Sequence, residues 1–175
     1  MRNRTKMCVF AHTACRNNDY LCRMNQGTIL IVDDNEDVLF ALNLLLKPHF
    51  RKVKVSTTPD RIAQFMESDD PDVILLDMNF SRDASSGQEG MEVLHDILKR
   101  DAEAVVVMMT AYSDMSKAIN AIKAGATDFV AKPWENEKLI ATLTAAAKLR
   151  QARREKASLQ KQMEGMAESS VPPII

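Results

Sequence analysis

The chain has 175 residues, enough for one domain with extra material at its ends, and its apolar fraction of 46% suits a globular protein. No apolar run approaches the ~20 residues that cross a bilayer as a helix, and no secretory signal pattern is read at the N-terminus, so the expected location is cytoplasmic. The net charge of −1 hides a division: residues 1–26 carry five basic side chains against Asp19, residues 27–147 carry 20 acidic against 12 basic, and residues 148–175 carry six basic against three acidic. An acidic middle segment argues against that segment gripping nucleic-acid phosphates.

All three cysteines, Cys8, Cys15 and Cys22, fall in residues 1–26 with His12 among them. Their C-x6-C-x6-C spacing lacks the short knuckle of most zinc sites. Residues 1–26 are therefore expected to be a disordered leader, with Met24 a plausible true start.

From Thr28 the pattern alternates. "TILIV" reads as a strand, and "EDVLFALNLLLK" has helical apolar spacing until Pro48 stops it. "FRKVKVS" alternates as a strand, and "PDRIAQFMES" reads as a short helix with proline in its first turn. "DVILL" is an apolar strand; "GMEVLHDILKR" is a helix with Met91, Leu94 and Leu98 on one face. "AVVVMM" is a further buried strand, "DMSKAINAIKAG" a helix ended by Gly125, "DFVA" a fifth strand, and helix is expected from Glu135 onward. Five β-α units with apolar strands imply an α/β fold, a doubly wound five-stranded parallel sheet covered on both faces. Such sheets carry their sites at the carboxyl ends of the strands.

At that edge the sequence places Asp33 and Asp34 after strand one, Asp77 after strand three, Thr110 after strand four and Lys132-Pro133 after strand five. Taken singly, each has an ordinary explanation. Asp33 or Asp34 could cap the following helix, a threonine after a strand is usually a turn residue, and a lone lysine is usually solvated. Together they ask for a cation, because clustered carboxylates raise one another's pKa. A hard divalent ion such as Mg²⁺ takes oxygen ligands of this kind. The set suits attack by one carboxylate on a phosphoryl group while cation and ammonium neutralise its oxygens. Asp77, centred between flanking strands, is the expected nucleophile.

"ILIVDDNEDV", "VILLDM", "VMMTAYSD" and "GATDFVAKPW", in this order over about residues 27–147, resemble the receiver domains of two-component response regulators, which have the flavodoxin/CheY-like fold. The resemblance implies a phosphoacceptor at Asp77, charged by a sensor histidine kinase. It implies Mg²⁺ held by Asp34 directly, Asp33 largely through water, the Asp77 carboxylate and the backbone carbonyl of Asn79. Thr110 and Lys132 would bind phosphoryl oxygens, Thr110 and Phe129 would form the switch, and Lys132-Pro133 would be a cis peptide. The face of helix four, strand five and helix five would change shape on phosphorylation. The chain would be a switch that assists only its own phosphorylation and dephosphorylation, not an enzyme. The alternatives are a Mg²⁺-dependent phosphohydrolase with an aspartyl-phosphate intermediate, and a degenerate receiver that takes no phosphate. Asn79 stands where such a hydrolase would want a second carboxylate, and the complete acidic, hydroxyl and lysine set argues against degeneracy.

Two segments depart from the common receiver pattern. Gly90 comes thirteen residues after Asp77, about five more than is common, and the usual proline is missing. Lengthening a surface loop costs little; the functional reading is that "NFSRDASSGQEG" partly covers the acceptor or shapes kinase recognition. Arg82 could pair with site carboxylates or with Asp83 beside it. The long loop is similar to that of nitrogen-regulator (sigma-54 activator) proteins, although no ATPase motif is present.

At the other end, Thr142, Ala145, Leu149, Ala152, Lys156, Leu159, Met163 and Met166 recur at steps of three and four, an a/d seam over about three heptads. Residues 148–170 are expected to extend the last helix and to pair in a homodimer, with "KLRQARREK" mainly on the other faces. Residues 171–175 read as a linker stub to a missing output domain. Neither direct nucleic-acid contact by the receiver nor membrane association is expected.

Overall fold

The computed structural model describes residues 27–80 and 88–168. The expectations for residues 1–26, for Arg82 and Asp83, and for the stub at 171–175 lie outside the described residues.

Five strands, β1 (Thr28–Val32), β2 (Lys52–Ser56), β3 (Val73–Asp77), β4 (Val106–Ala111) and β5 (Asp128–Lys132), form one parallel sheet in the order β2-β1-β3-β4-β5. The helices between them are α1 (Glu36–Leu46), α2 (Ile62–Ser68), α3 (Gln88–Arg100) and α4 (Met115–Lys123); α5 (Asn136–Glu168) follows β5. The expected doubly wound α/β fold is present. Strands β1 and β3 are buried along their whole length because helices cover both faces. The edge strand β2 alternates Lys52 and Lys54 with Val53 and Val55, and charge at a sheet edge discourages further strand pairing.

Alternation along the strands divides the core into two layers. Ile29, Ile31, Leu75, Val107 and Met109 face one side and pack with Leu39, Leu42, Leu139 and Leu143 of α1 and α5. Leu30, Val32, Ile74, Leu76 and Met108 face the other, against Ile62, Leu94, Ile97 and Ala121. The period of two in a strand requires this division.

Three local details differ from the sequence reading. The side chain of Asn35, not of Asp33 or Asp34, caps α1 by accepting from the amides of Asp37 and Val38, because it occupies the extended residue just before the helix. Helix α3 begins at Gln88, two residues before Gly90. Gly90 then lies so close to the end of β3 that a Cβ there would fall 2.6 Å from the Met78 carbonyl oxygen, so the first turn of α3 needs glycine. Phe80, which lies among the polar residues of "NFSRDASSGQEG", is only 5% exposed and packs with Met78 and Leu94.

Helix α5 is continuous over 33 residues. Leu139, Leu143, Ala146 and Ala147 are buried against the sheet. The expected seam is solvent-facing along most of its length, with Leu149, Leu159, Met163 and Met166 all exposed. Among the described residues no helix is long and apolar enough to cross a membrane.

Candidate functional site

The carboxyl ends of β1, β3, β4 and β5 bring four of the sequence-selected side chains to one rim. Register fixes their heights: Asp77 on β3 pairs with Met109, one residue before Thr110, and Lys132 on β5 pairs with Ala111, one residue after it. Asp33 and Thr110 are fully buried and Asp77 nearly so. The Lys132 ammonium sits between two carboxylates, 2.6 Å from Asp33 Oδ2 and 3.0 Å from Asp77 Oδ1. The other oxygen of Asp33 accepts from the Asn35 amide at 2.8 Å, which fixes that side chain in the turn into α1. Asp34 is exposed and lines an open groove of about 420 Å³ with Thr57, Thr58, Phe80 and Glu89.

One oxygen from each of Asp33, Asp34 and Asp77 can be chosen so that all three lie within 4.8 Å of one another. This acidic group could hold a metal ion. Asn79, two residues beyond Asp77, has a buried side-chain oxygen with no hydrogen-bond partner among the described residues. The donors are all oxygen, the preference of a hard divalent cation.

Burial and charge set the ionisation of the rim. Desolvation pushes the Asp77 carboxyl up to about 6; the Lys132 ammonium opposes this and the Asp33 charge adds to it. Burial would lower the Lys132 ammonium, but its hydrogen bond to Asp33 and the charge of Asp77 outweigh that and raise it. One ammonium therefore balances two buried carboxylates incompletely, so Asp77 is partly protonated in the mildly acidic range.

Among the described residues the Thr110 hydroxyl makes only a weak local contact, donating to its neighbour's carbonyl (Ala111) at 3.4 Å. Phe129 lies half-buried on β5 against the layer that contains Met108 and Ala121. The Lys132–Pro133 peptide is cis.

A second charged cluster, not recognised in the sequence, lies at the opposite end of the sheet. Arg150 reaches Asp101 at 2.5 Å and Asp70 at 3.4 Å. Arg154 donates to Asp72 at 2.6 Å and to the Asp70 carbonyl at 3.0 Å. Arg153 meets Glu103. Three arginines of "KLRQARREK" thus turn back onto the sheet's base, and contacts between α5 and the body run past residue 147. The i, i+4 spacing of Arg150 and Arg154 places them on one helix face, a signal present in the sequence but masked by the basic run around it.

Comparison with known proteins follows the same outline. The family model described as "Response regulator receiver domain" matches residues 29–144. The crystal structure of the N-terminal signal receiver domain of a two-component response regulator from Bacteroides fragilis is 47% identical, with 69% of this chain and 96% of that one covered and a TM-score of 0.64. NtrX from Brucella abortus, crystallised with ADP, is 25% identical with a TM-score of 0.68, over 79% of this chain and 30% of that one. The "Putative response regulator NtrX-like" of Rickettsia bellii is 29% identical over 131 residues, 75% of this chain but only 27% of that protein. The chain thus spans about a quarter of the length of the NtrX-like relatives it matches. With the match running from β1 into α5 and a solved receiver at nearly half identity, the chain belongs to the response regulator receiver domain family.

Proposed function

We propose that this receiver is a phosphorylation-driven switch in which Asp77 accepts a phosphoryl group from a sensor histidine kinase. The observation that carries the reading is the Lys132 ammonium bridging the buried Asp33 and Asp77, with the three rim carboxylates close enough to share a cation. An ionised oxygen of Asp77 attacks phosphorus, the phosphorus–nitrogen bond of the donor phosphohistidine breaks, and the imidazole leaves with that electron pair. Lys132 then pairs with a phosphoryl oxygen. The Thr110 hydroxyl, held only by its weak contact to Ala111, turns to donate to another.

Asp34, Asp33, the Asp77 carboxylate and the Asn79 carbonyl would hold Mg²⁺, and the unpartnered Asn79 side-chain oxygen adds to the fit. When bound, the ion neutralises charge that develops on the transferring phosphoryl oxygens.

The acyl phosphate adds about −2 charge and three acceptor oxygens at a buried rim. As Thr110 moves toward them, Phe129 fills the vacated space, and the face of α4, β5 and α5 changes shape. The exposed seam of α5 from Leu149 to Met166 supports a homodimer whose association this change regulates. The likeness to NtrX-like proteins supports an output of the nitrogen-regulator type in a longer protein, a regulator of transcription.

Intact-mass analysis after acetyl phosphate treatment tests the reading. One phosphate is expected with Mg²⁺, none with a chelator and none in Asp77→Asn, and sedimentation of the labelled and unlabelled chain should differ. Equal labelling of Asp77→Asn would remove Asp77 from the role.

A further inference from the structure

Strand β3 is bracketed by two aspartates, each gripped by a basic residue of the β5–α5 arm. Asp77 follows its apolar run and pairs with Lys132; Asp72 precedes its first residue and pairs with Arg154. The last apolar residue of α5 buried against the body is Ala147. Beyond it the helix would leave the receiver as a free stalk unless polar contacts held it. Arg150 and Arg154, one turn apart, supply them.

We infer that Arg150 and Arg154 are positioning residues that latch α5 to the base of the sheet, so that the seam Leu159–Met166 is presented in a fixed direction from the receiver. The anchor is built into the fold at three places. Asp72 is 5% exposed and its second oxygen accepts from the Thr28 amide at 2.7 Å, which ties it to the start of β1. Asp70 stands in the turn before β3, with a positive φ of 41°, and receives Arg154 through both its carbonyl and its carboxylate. Asp101 follows the last turn of α3 and receives Arg150. Two guanidinium groups therefore join α5 to the starts of β1 and β3 and to the end of α3.

An isolated surface ion pair holds little, because water and salt screen it. These pairs are different. The Arg150 side chain is 9% exposed and that of Asp72 is 7% exposed, so each pair has one partner shielded from solvent. The planar fork of arginine also fixes direction, which a lysine point charge does not. This latch does not depend on whether Asp77 accepts phosphate.

Hydrogen–deuterium exchange on the full chain tests it, at low and high micromolar concentration. In Arg150→Gln/Arg154→Gln, amides of 150–160 should exchange about tenfold faster or more, the scale of losing charge-assisted hydrogen bonds, while amides of β3 and β4 keep their rates. Arg150→Lys/Arg154→Lys should fall between, having kept charge and lost the fork. Raising salt from about 0.05 to about 0.5 M should move the unaltered chain toward the Gln variant. Equal exchange in the unaltered chain and the Gln variant overturns the latch. Protection that rises with concentration and ignores the arginines also overturns it, because a second copy would then be holding the helix. Acceleration of β3 and β4 by the same factor overturns a local positioning role.

Discussion

The two ends of β3 carry the same residue type in opposite physical situations. At the amino-terminal end, Asp72 is satisfied: one oxygen accepts from the Thr28 amide and the other from the Arg154 guanidinium, with fixed geometry on both sides. At the carboxyl-terminal end, Asp77 shares a single ammonium with Asp33 and lies beside a third carboxylate, and burial holds its carboxyl near 6. Both are buried aspartates, five residues apart, at the two ends of one strand. A saturated carboxylate stabilises the fold, whereas an under-compensated one stores the capacity to attack an electrophile or bind a cation. Burial alone does not separate them; the count and direction of donors does.

Opposite signs of mutational effect would sharpen this contrast. Asp72→Ala should be the larger change, costing about 3 kcal/mol, because it strands the buried Thr28 amide and takes from Arg154 its shielded charge-assisted partner, leaving that guanidinium only Asp70. Denaturant unfolding measures it, and a loss under about 0.5 kcal/mol, the scale of an ordinary surface substitution, would mean that the base of the sheet does not depend on Asp72.

Asp77→Asn should do the reverse, stabilising the protein by on the order of 2 kcal/mol at neutral pH, since it removes a carboxylate that the fold holds at a raised pKa. The sign with pH follows. Between about 4 and about 6 the folded chain binds the Asp77 proton more tightly than the unfolded chain does, so the Asp77 contribution is greatest at low pH and is lost as pH rises through about 6. Asp77→Asn should remove that slope from a comparison of unfolding at pH 4.5 and pH 7.5, measured without Mg²⁺. An unchanged slope would show that Asp77 is not the group responsible.

The same physics explains what the sequence made legible. Continuous apolar strands ending in polar residues locate the rim, because strand ends in a parallel sheet share one edge, so Asp33, Asp77, Thr110 and Lys132 could be assembled without coordinates. Asp34 stands beside Asp33 in the sequence, but its position in an open groove depends on how the turn after β1 leaves the sheet. The base of the sheet was not legible. Asp70, Asp72 and Asp101 sit in turns where aspartate is common for local reasons, and nothing in their spacing announces that they converge on Arg150 and Arg154. Phe80 was hidden by its polar neighbours. The sequence marks Gly90 as the glycine that opens helix three; its steric reason, the close approach to the Met78 backbone, appears only when α3 is seen against β3. The seam of α5 was legible as periodicity, and its exposure leaves its partner to the dimer proposal above.

The proposed acceptor is the aspartate beyond the carboxyl end of β3's apolar run and no other. Borohydride reduction converts an aspartyl phosphate to homoserine, so treating the chain with acetyl phosphate and Mg²⁺, reducing it and sequencing its peptides by mass spectrometry reads the acceptor directly. Homoserine is expected at residue 77, with aspartate intact at 33, 34 and 72. Homoserine at any of those three in place of 77, or intact aspartate at 77 in a chain that has gained phosphate mass, would contradict it.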